Sequence, residues 1–270
     1  MKCGLNPGTR STTLRRCDRA VAHRTHGTCI VWCVKSLILV LGLIAASVVG
    51  GGAQASAELT SSSIRSRFFQ RPAESLTEFR ALRHLEARNL RFNAQAWMDV
   101  RTALSTAGVF TFEVLSEGGS GYIRRRVLRP ILEGERDLIA SGDFARSALT
   151  AENYEITSED PAPPGLVRLT MKPLRRDRML VDGAVFVTDN DADLVRIEGR
   201  LARNPSFWTT RVDVVRRYGR IAGVRVPLSV DSTAQVRIAG TSTMSMTYRY
   251  EMVNGLAVST DTHGSSREEQ

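Results

Sequence analysis

Cysteine is missing from most of this chain. All four cysteines, Cys3, Cys17, Cys29 and Cys33, precede the first apolar run. The rest of the chain has no disulfide framework, no thiolate nucleophile and no thiolate metal site. Histidine is as scarce: beyond residue 57 only His84 and His263 remain. They lack metal-ligand spacing, and no nucleophile elbow precedes either, which argues against a Ser-His-Asp enzyme. Aromatic residues make up only 6% and are not interleaved with the basic clusters as a single-strand nucleic-acid groove requires. A one-sided charge is also missing once position is considered. The formal charge is +9, which at first suggests nucleic acid. Lys2, Arg10, Arg15, Arg16, Arg19, Arg24 and Lys35, against Asp18 alone, supply +6 of it. From Glu58 onward 30 basic residues face 27 acidic ones, and so balanced a body gives no reason to expect a nucleic-acid partner. Apolar residues at 42% and charged residues at 24% suffice for a buried core.

One long apolar run is present. Leu37–Val49 reads LILVLGLIAASVV, after Lys35 and before GGGAQASAE. A positive flank, a run of this length and an Ala-x-Ala site form the pattern of a secretory signal peptide. Cleavage after Ala57, leaving Glu58 first, is the preferred site, and cleavage after Ala55 is the other. The expected location is periplasmic or secreted. An uncleaved N-terminal anchor is the alternative, because the run extended through 50–57 just reaches the length of a span. No cysteine follows the run, which excludes a lipid-modified N-terminus of the bacterial lipoprotein type. The segment before the run is explained by a start at Val34 encoded by GTG, or by a long n-region. Residues 1–57 are set apart from the fold, and 58–74 form a lead-in.

The body divides into elements by period. Ser75-Leu76-Thr77-Glu78 has capping-box spacing and predicts a helix from there to about Leu90, with His84 beside its apolar stripe. Phe92 to Leu104 alternates as a half-buried strand. Phe110, Phe112 and Val114 form one face of the next. Glu117–Gly121 is a loop, Tyr122–Val127 a third strand, and Pro130–Ala140 a short helix stopped by Ser141-Gly142. Strands then follow in series: 153–157, 165–172, 180–188, 194–201, 209–218, 224–230, 234–238 and 242–253. About ten strands with few helices between them predict a mainly β, α+β architecture built on an antiparallel sheet, apolar on one face. The two helices would cover that face. The body, 75–255, reads as one domain, and 256–270 as a polar, frayed tail.

Candidate chemistry is thin. Asp189-x-Asp191-x-Asp193 lacks the glycine and the bidentate glutamate of a calcium loop and reads as a hairpin turn. Gly118-Gly119-Ser120-Gly121 opens no phosphate-binding helix. Glu133 and Glu135 stand two apart, on different helix faces, and make a weak carboxylate pair. Arg124–Arg126, Arg175-Arg176-Asp177-Arg178 and Arg216-Arg217 read as a solvated outer face, or as a contact for acidic lipid headgroups or an acidic protein. No enzyme, metal or cofactor is expected.

A resemblance adds to this reading. Leu149–Tyr154, Leu180–Gly183, Asp193–Gly199, Asn204–Trp208 and Tyr248–Gly255, in that order after a signal peptide, resemble the superfamily of periplasmic lipoprotein carriers and receptors, LolA and LolB, and its lipoprotein-sorting relatives. The resemblance spans about residues 75–255. It implies a half-open β-barrel whose helices close the concave side around a cavity for acyl chains. The cavity would be lined by the apolar faces of the strands: Phe110, Phe112 and Val114; Val167, Leu169 and Met171; Val195 and Ile197; Met244, Met246 and Tyr248. The same faces would equally serve a plain packed core. The expected partner is a lipid or lipoprotein acyl chain, with an envelope protein as a further possibility, and the expected state is a monomer. The alternative function is an envelope sensor or interaction domain with a closed core and no small ligand.

Overall fold

A computed structural model describes residues 63–71 and 75–259. The signal-peptide segment, its cleavage site at Ala57 and the tail beyond 259 lie outside the described residues. One antiparallel sheet organises everything described. Its strands are β1 (Phe79–Asn89), β2 (Ala94–Leu104), β3 (Phe110–Gly119), β4 (Tyr154–Pro161), β5 (Leu166–Pro173), β6 (Val181–Thr188), β7 (Leu194–Leu201), β8 (Thr209–Ile221), β9 (Val224–Val236), β10 (Gly240–Val253) and the short β11 (Leu256–Ala257). The order across the sheet is β3-β2-β1-β10-β9-β8-β7-β6-β5-β4, with β11 beside β10. β3 and β4 are the two edges and do not pair, so the barrel is half open. The mainly β, half-open antiparallel architecture expected from the sequence is the one observed.

The predicted helix over 75–90 is instead β1. Its burial alternates strictly: Phe79, Ala81, Arg83, Leu85, Ala87 and Asn89 face inward. The first-turn amides that a capping box would satisfy are taken by another strand end. Thr77 N and Glu78 N donate to Asn254 Oδ1 at 2.9 and 3.3 Å. β1 then pairs along its whole length with both β2 and β10, and two ladders of hydrogen bonds outweigh a weak local helix preference. The leading helix lies earlier, within the lead-in. It is α1 (Ile64–Gln70), capped by the Ser63 hydroxyl, which accepts from Ser66 N, and it buries Ile64 and Phe68 against the core.

The predicted strand 122–127 is helical. Ser120 caps a short helical turn, Gly121–Ile123, followed by a π-helical turn, Arg124–Leu128, and then α2 (Arg129–Ser141). Pro130 cannot donate to the helical turn before it, and it directly follows the π-helical turn in which Arg129 N donates to the Arg124 carbonyl, the local widening that accommodates the ring. Gly142 ends it at φ 67°, a left-handed cap that glycine adopts freely. The predicted strands 224–230 and 234–238 are the single strand β9: Ser232 faces the core between them and keeps the alternation. Leu256 and Ala257, at the start of the segment expected to fray, pair with β10.

α2 lies over the β1–β3 half of the concave face and buries Pro130, Ile131, Leu132, Glu135 and Leu138. Ile131 and Leu132 are fully buried, and each such side chain contributes roughly 1.5–3 kcal/mol. The concave side is one continuous core that runs from β3 to β4.

Candidate functional site

Inward alternation on neighbouring strands gathers most of the expected residues on the concave side. Phe110, Leu169, Met171, Ile197, Met244, Met246 and Tyr248 are buried within one core. Phe112 and Val114 on edge strand β3, and Val167 on β5, are half-buried and pack against it. Val195 stands apart. It is the extra residue of a bulge where Leu194 opposes Val187 and Arg196 opposes Phe186, and it is not part of the core. Two half-buried apolar groups therefore lie near opposite edges of the sheet, with a densely filled centre between them.

That centre holds charges. Arg83 of β1 and Glu135 of α2 meet through two parallel hydrogen bonds, 2.5 Å from Nη1 to Oε2 and 3.0 Å from Nη2 to Oε1. Their side chains are 0% and 1% exposed. The guanidinium also lies 4.6 Å from the ring centre of Tyr248, 5.4 Å from Phe110 and 5.6 Å from Phe79. Burial opposes the charged form of Arg83, but the Glu135 carboxylate outweighs it and holds the guanidinium firmly protonated. A bidentate pair of this kind fixes where the helix sits on the sheet more than it stabilises the fold.

Tyrosines complete the interior. Tyr250 donates to the Pro227 carbonyl at 3.0 Å. The Tyr154 oxygen accepts from Val181 N at 3.0 Å, and burial pushes its phenol up to about 12. Burial also raises Tyr248 and Tyr250 above the usual range. The Tyr248 hydroxyl and Arg83 Nε are buried without a hydrogen-bond partner. Arg216 of β8 is also buried in this interior.

Sequence reasoning misses Arg83 and Glu135. It places Arg83 on a helix, and it weighs Glu135 only as the partner of Glu133. The available signal is the period-two series Phe79, Ala81, Leu85 and Ala87, which places position 83 inside. His84 is on the strand's outer face, where its Nδ1 lies 2.7 Å from Asp99 and the Ser116 hydroxyl donates to the same carboxylate at 2.8 Å. The hydrogen bond from His84 holds the Asp99 carboxyl below its usual range. Asp99 stands between His84 and Ser116, so the histidine is not placed to take a proton from the hydroxyl. The Asp189–Asp193 turn joins β6 to β7 as expected, and arginines occupy it: Asp191 pairs with Arg71, and Asp193 with Arg220 and Arg225. Among the described residues, no group of three His, Cys, Asp or Glu could hold a metal, and no helix is long and apolar enough to cross a membrane.

Three solved structures show a partial likeness to the chain. An outer membrane lipoprotein-sorting protein domain from Vibrio parahaemolyticus is 10% identical, with a TM-score of 0.36 over 72% of this chain and 90% of that one. A LolA superfamily protein from Nitrosomonas europaea is 11% identical, with a TM-score of 0.33 over 69% and 90%. A DUF1329 family protein from Desulfovibrio piger is 10% identical, with a TM-score of 0.33 over 72% and 92%. The first two bear the family names to which the sequence resemblance points. No protein-family model and no curated protein matches the chain. Likeness at this level carries no argument, so both fold and function rest on this chain's own residues.

Proposed function

We propose that the chain is an exported, non-enzymatic carrier that holds a lipid or lipoprotein acyl chain against the concave face of its half-barrel. The observation that carries this reading is the sheet's failure to close. A continuous apolar face ends at two unpaired edges, and a separate helical segment, not a second sheet, covers its β1–β3 half. An acyl chain would enter between the sheet and α2 and take the place of Ile131, Leu132 and Leu138. Each methylene it buries is worth about 0.8 kcal/mol. The partnerless Tyr248 hydroxyl offers a donor to the ester or carboxyl end of such a ligand. The expected lining is that named from the sequence, without Val195. Export removes the segment through Ala57, and N-terminal sequencing of envelope protein should return Glu58.

The test is lipid extraction and mass spectrometry on protein purified without detergent, followed by titration with a fluorescent fatty acid. Near-stoichiometric acyl species and saturable binding are expected. A second reading, an envelope interaction domain with a closed core, draws on the full burial of Leu85, Met98, Val100, Leu128, Ile131 and Leu132. Clean protein with no saturable binding would refute the carrier and support this second reading.

A further inference from the structure

One rim of the sheet gathers exposed apolar side chains and arginines. The end of β1 pairs with the start of β10, the start of β8 with the end of β9, and the start of β6 with the end of β7. The β1–β2 turn, the β7–β8 loop, the β9–β10 turn and the β5–β6 loop therefore lie at the same end. The first three touch. Arg91 Nη1 donates to the Ile238 carbonyl at 2.8 Å, and Arg237 N donates to the Trp208 carbonyl at 2.9 Å. The Arg237 guanidinium lies 4.8 Å from the ring centre of Phe207, which meets Trp208 edge-on.

We propose that this rim docks on an anionic lipid bilayer. Phe207 is 74% exposed and Phe92 60%, and Leu90, Trp208 and Ile238 stand exposed beside them. Large apolar tips on turns gain little from the protein's own core. In the headgroup region of a bilayer they are buried, and Trp is favoured there. The cations stand where such a surface needs them. The β7–β8 loop that carries Phe207 and Trp208 also walls a cleft of about 550 Å³. Lys172, Arg175, Arg176, Arg200, Arg203 and Arg211 line it, with Asp182 as the sole acid. Arg200 pairs with Asp182 and Arg211 with Asp213. Among the described residues Lys172, Arg176 and Arg203 have no ion-pair partner, which leaves them for lipid phosphates. At the opposite rim the arginines are matched by acids: Arg71 pairs with Asp191, and Arg220 and Arg225 pair with Asp193. An acidic protein would match the cations but would leave the apolar tips in water. This docking does not depend on an acyl-chain site.

The experiment is flotation of the exported protein with phosphatidylcholine vesicles, with and without one third phosphatidylglycerol, at low and raised salt. The protein should float with anionic vesicles, less at raised salt, and poorly with neutral ones. Arg176→Gln/Arg203→Gln should weaken this about twenty-five-fold, at roughly five-fold per cation lost. Phe207→Ser/Trp208→Ser should weaken it by about ten-fold or more. Both variants change exposed side chains and should melt like the wild type. No flotation with anionic vesicles, equal binding to neutral ones, or variants that float like the wild type would each overturn the proposal. Binding to polyglutamate without binding to vesicles would do so too, and would make the partner an acidic protein.

Discussion

Removing one member of the Arg83–Glu135 pair should be far more damaging than removing both. Arg83→Met keeps most of the side chain's apolar stem among Phe79, Phe110 and Tyr248 but deletes the charge. The Glu135 carboxylate, 1% exposed, then loses its bidentate partner and has no access to water. A broken buried pair of this kind costs about 3–5 kcal/mol. Glu135→Leu leaves the guanidinium stranded at a similar cost, about 3–5 kcal/mol. The double variant removes both charges from a site already walled by apolar groups and should fall within about 1–2 kcal/mol of the wild type. The coupling between the two positions is then at least about 4 kcal/mol. Against a typical total stability of about 5–15 kcal/mol, either single variant should be marginal and the double robust. Urea unfolding followed by far-ultraviolet circular dichroism measures all four corners of the cycle. Two single variants that each lose less than about 1 kcal/mol would refute the reasoning, since they would mean that water reaches the pair. In the double variant, α2 amides should also exchange faster than β1 amides, because the helix has lost its bidentate anchor to the sheet.

Other perturbations test the interior and the turns. Met246→Ala should cost about 2–5 kcal/mol in lipid-free protein through the void it leaves, while Met246→Glu should abolish fluorescent fatty-acid binding by placing an unpaired carboxylate on the concave face; unchanged binding by the glutamate variant would move the ligand elsewhere. Gly183 and Gly199 face each other across β6 and β7, and a Cβ on Gly183 would meet the Gly199 Cα at 2.6 Å, so Gly183→Ala should lower stability by about 3 kcal/mol in urea melts. At Asp193, burial opposes ionisation, but hydrogen bonds and charge from Arg220 and Arg225 outweigh it and hold the carboxyl below its usual range. A depressed folded-state value means stability that is full above the unfolded value and is lost as pH falls through the folded one. Asp193→Asn should therefore be less stable than the wild type at pH 7, and the gap should close below about pH 4; a gap that persists at low pH would contradict the assignment.

The later strands are legible in the sequence because their inward residues are apolar. Val167, Leu169 and Met171, or Met244, Met246, Tyr248 and Tyr250, alternate with polar neighbours and lie where the alternation puts them. β1 is not legible, because two of its six inward positions are Arg83 and Asn89. Its outward Leu82 lies three residues from Phe79 and Leu85, which imitates a helical stripe. The helical turns at 121–128 mislead for a related reason. Tyr122 and Arg124–Arg126 form no clear stripe, and only Ile123, Val127 and Leu128 are buried. Which residues face inward is largely recoverable by period alone. The ion pair is not, since it joins residues from two elements whose types are both needed first.

The strand order has a further meaning for how the chain is threaded. Read across the sheet from β4 to β10, each strand neighbours the next one in sequence, and β1 to β3 continue the series after β10. The fold is a plain up-and-down meander whose chain has been opened between β10 and β1, with the helical crossover tying β3 to β4. The two ends at that opening already touch: Asn254 Nδ2 donates to the Ser75 carbonyl at 2.9 Å. A short linker from Gly255 to Ser75, with new termini in the loop after Gly142, would give a circular permutant in which every strand pairs with its sequence neighbour. The seam that sets Phe79 against Val253 would become a local hairpin. Such a chain has a lower contact order and should refold faster than the natural one, while its α2 would be tethered at one end only.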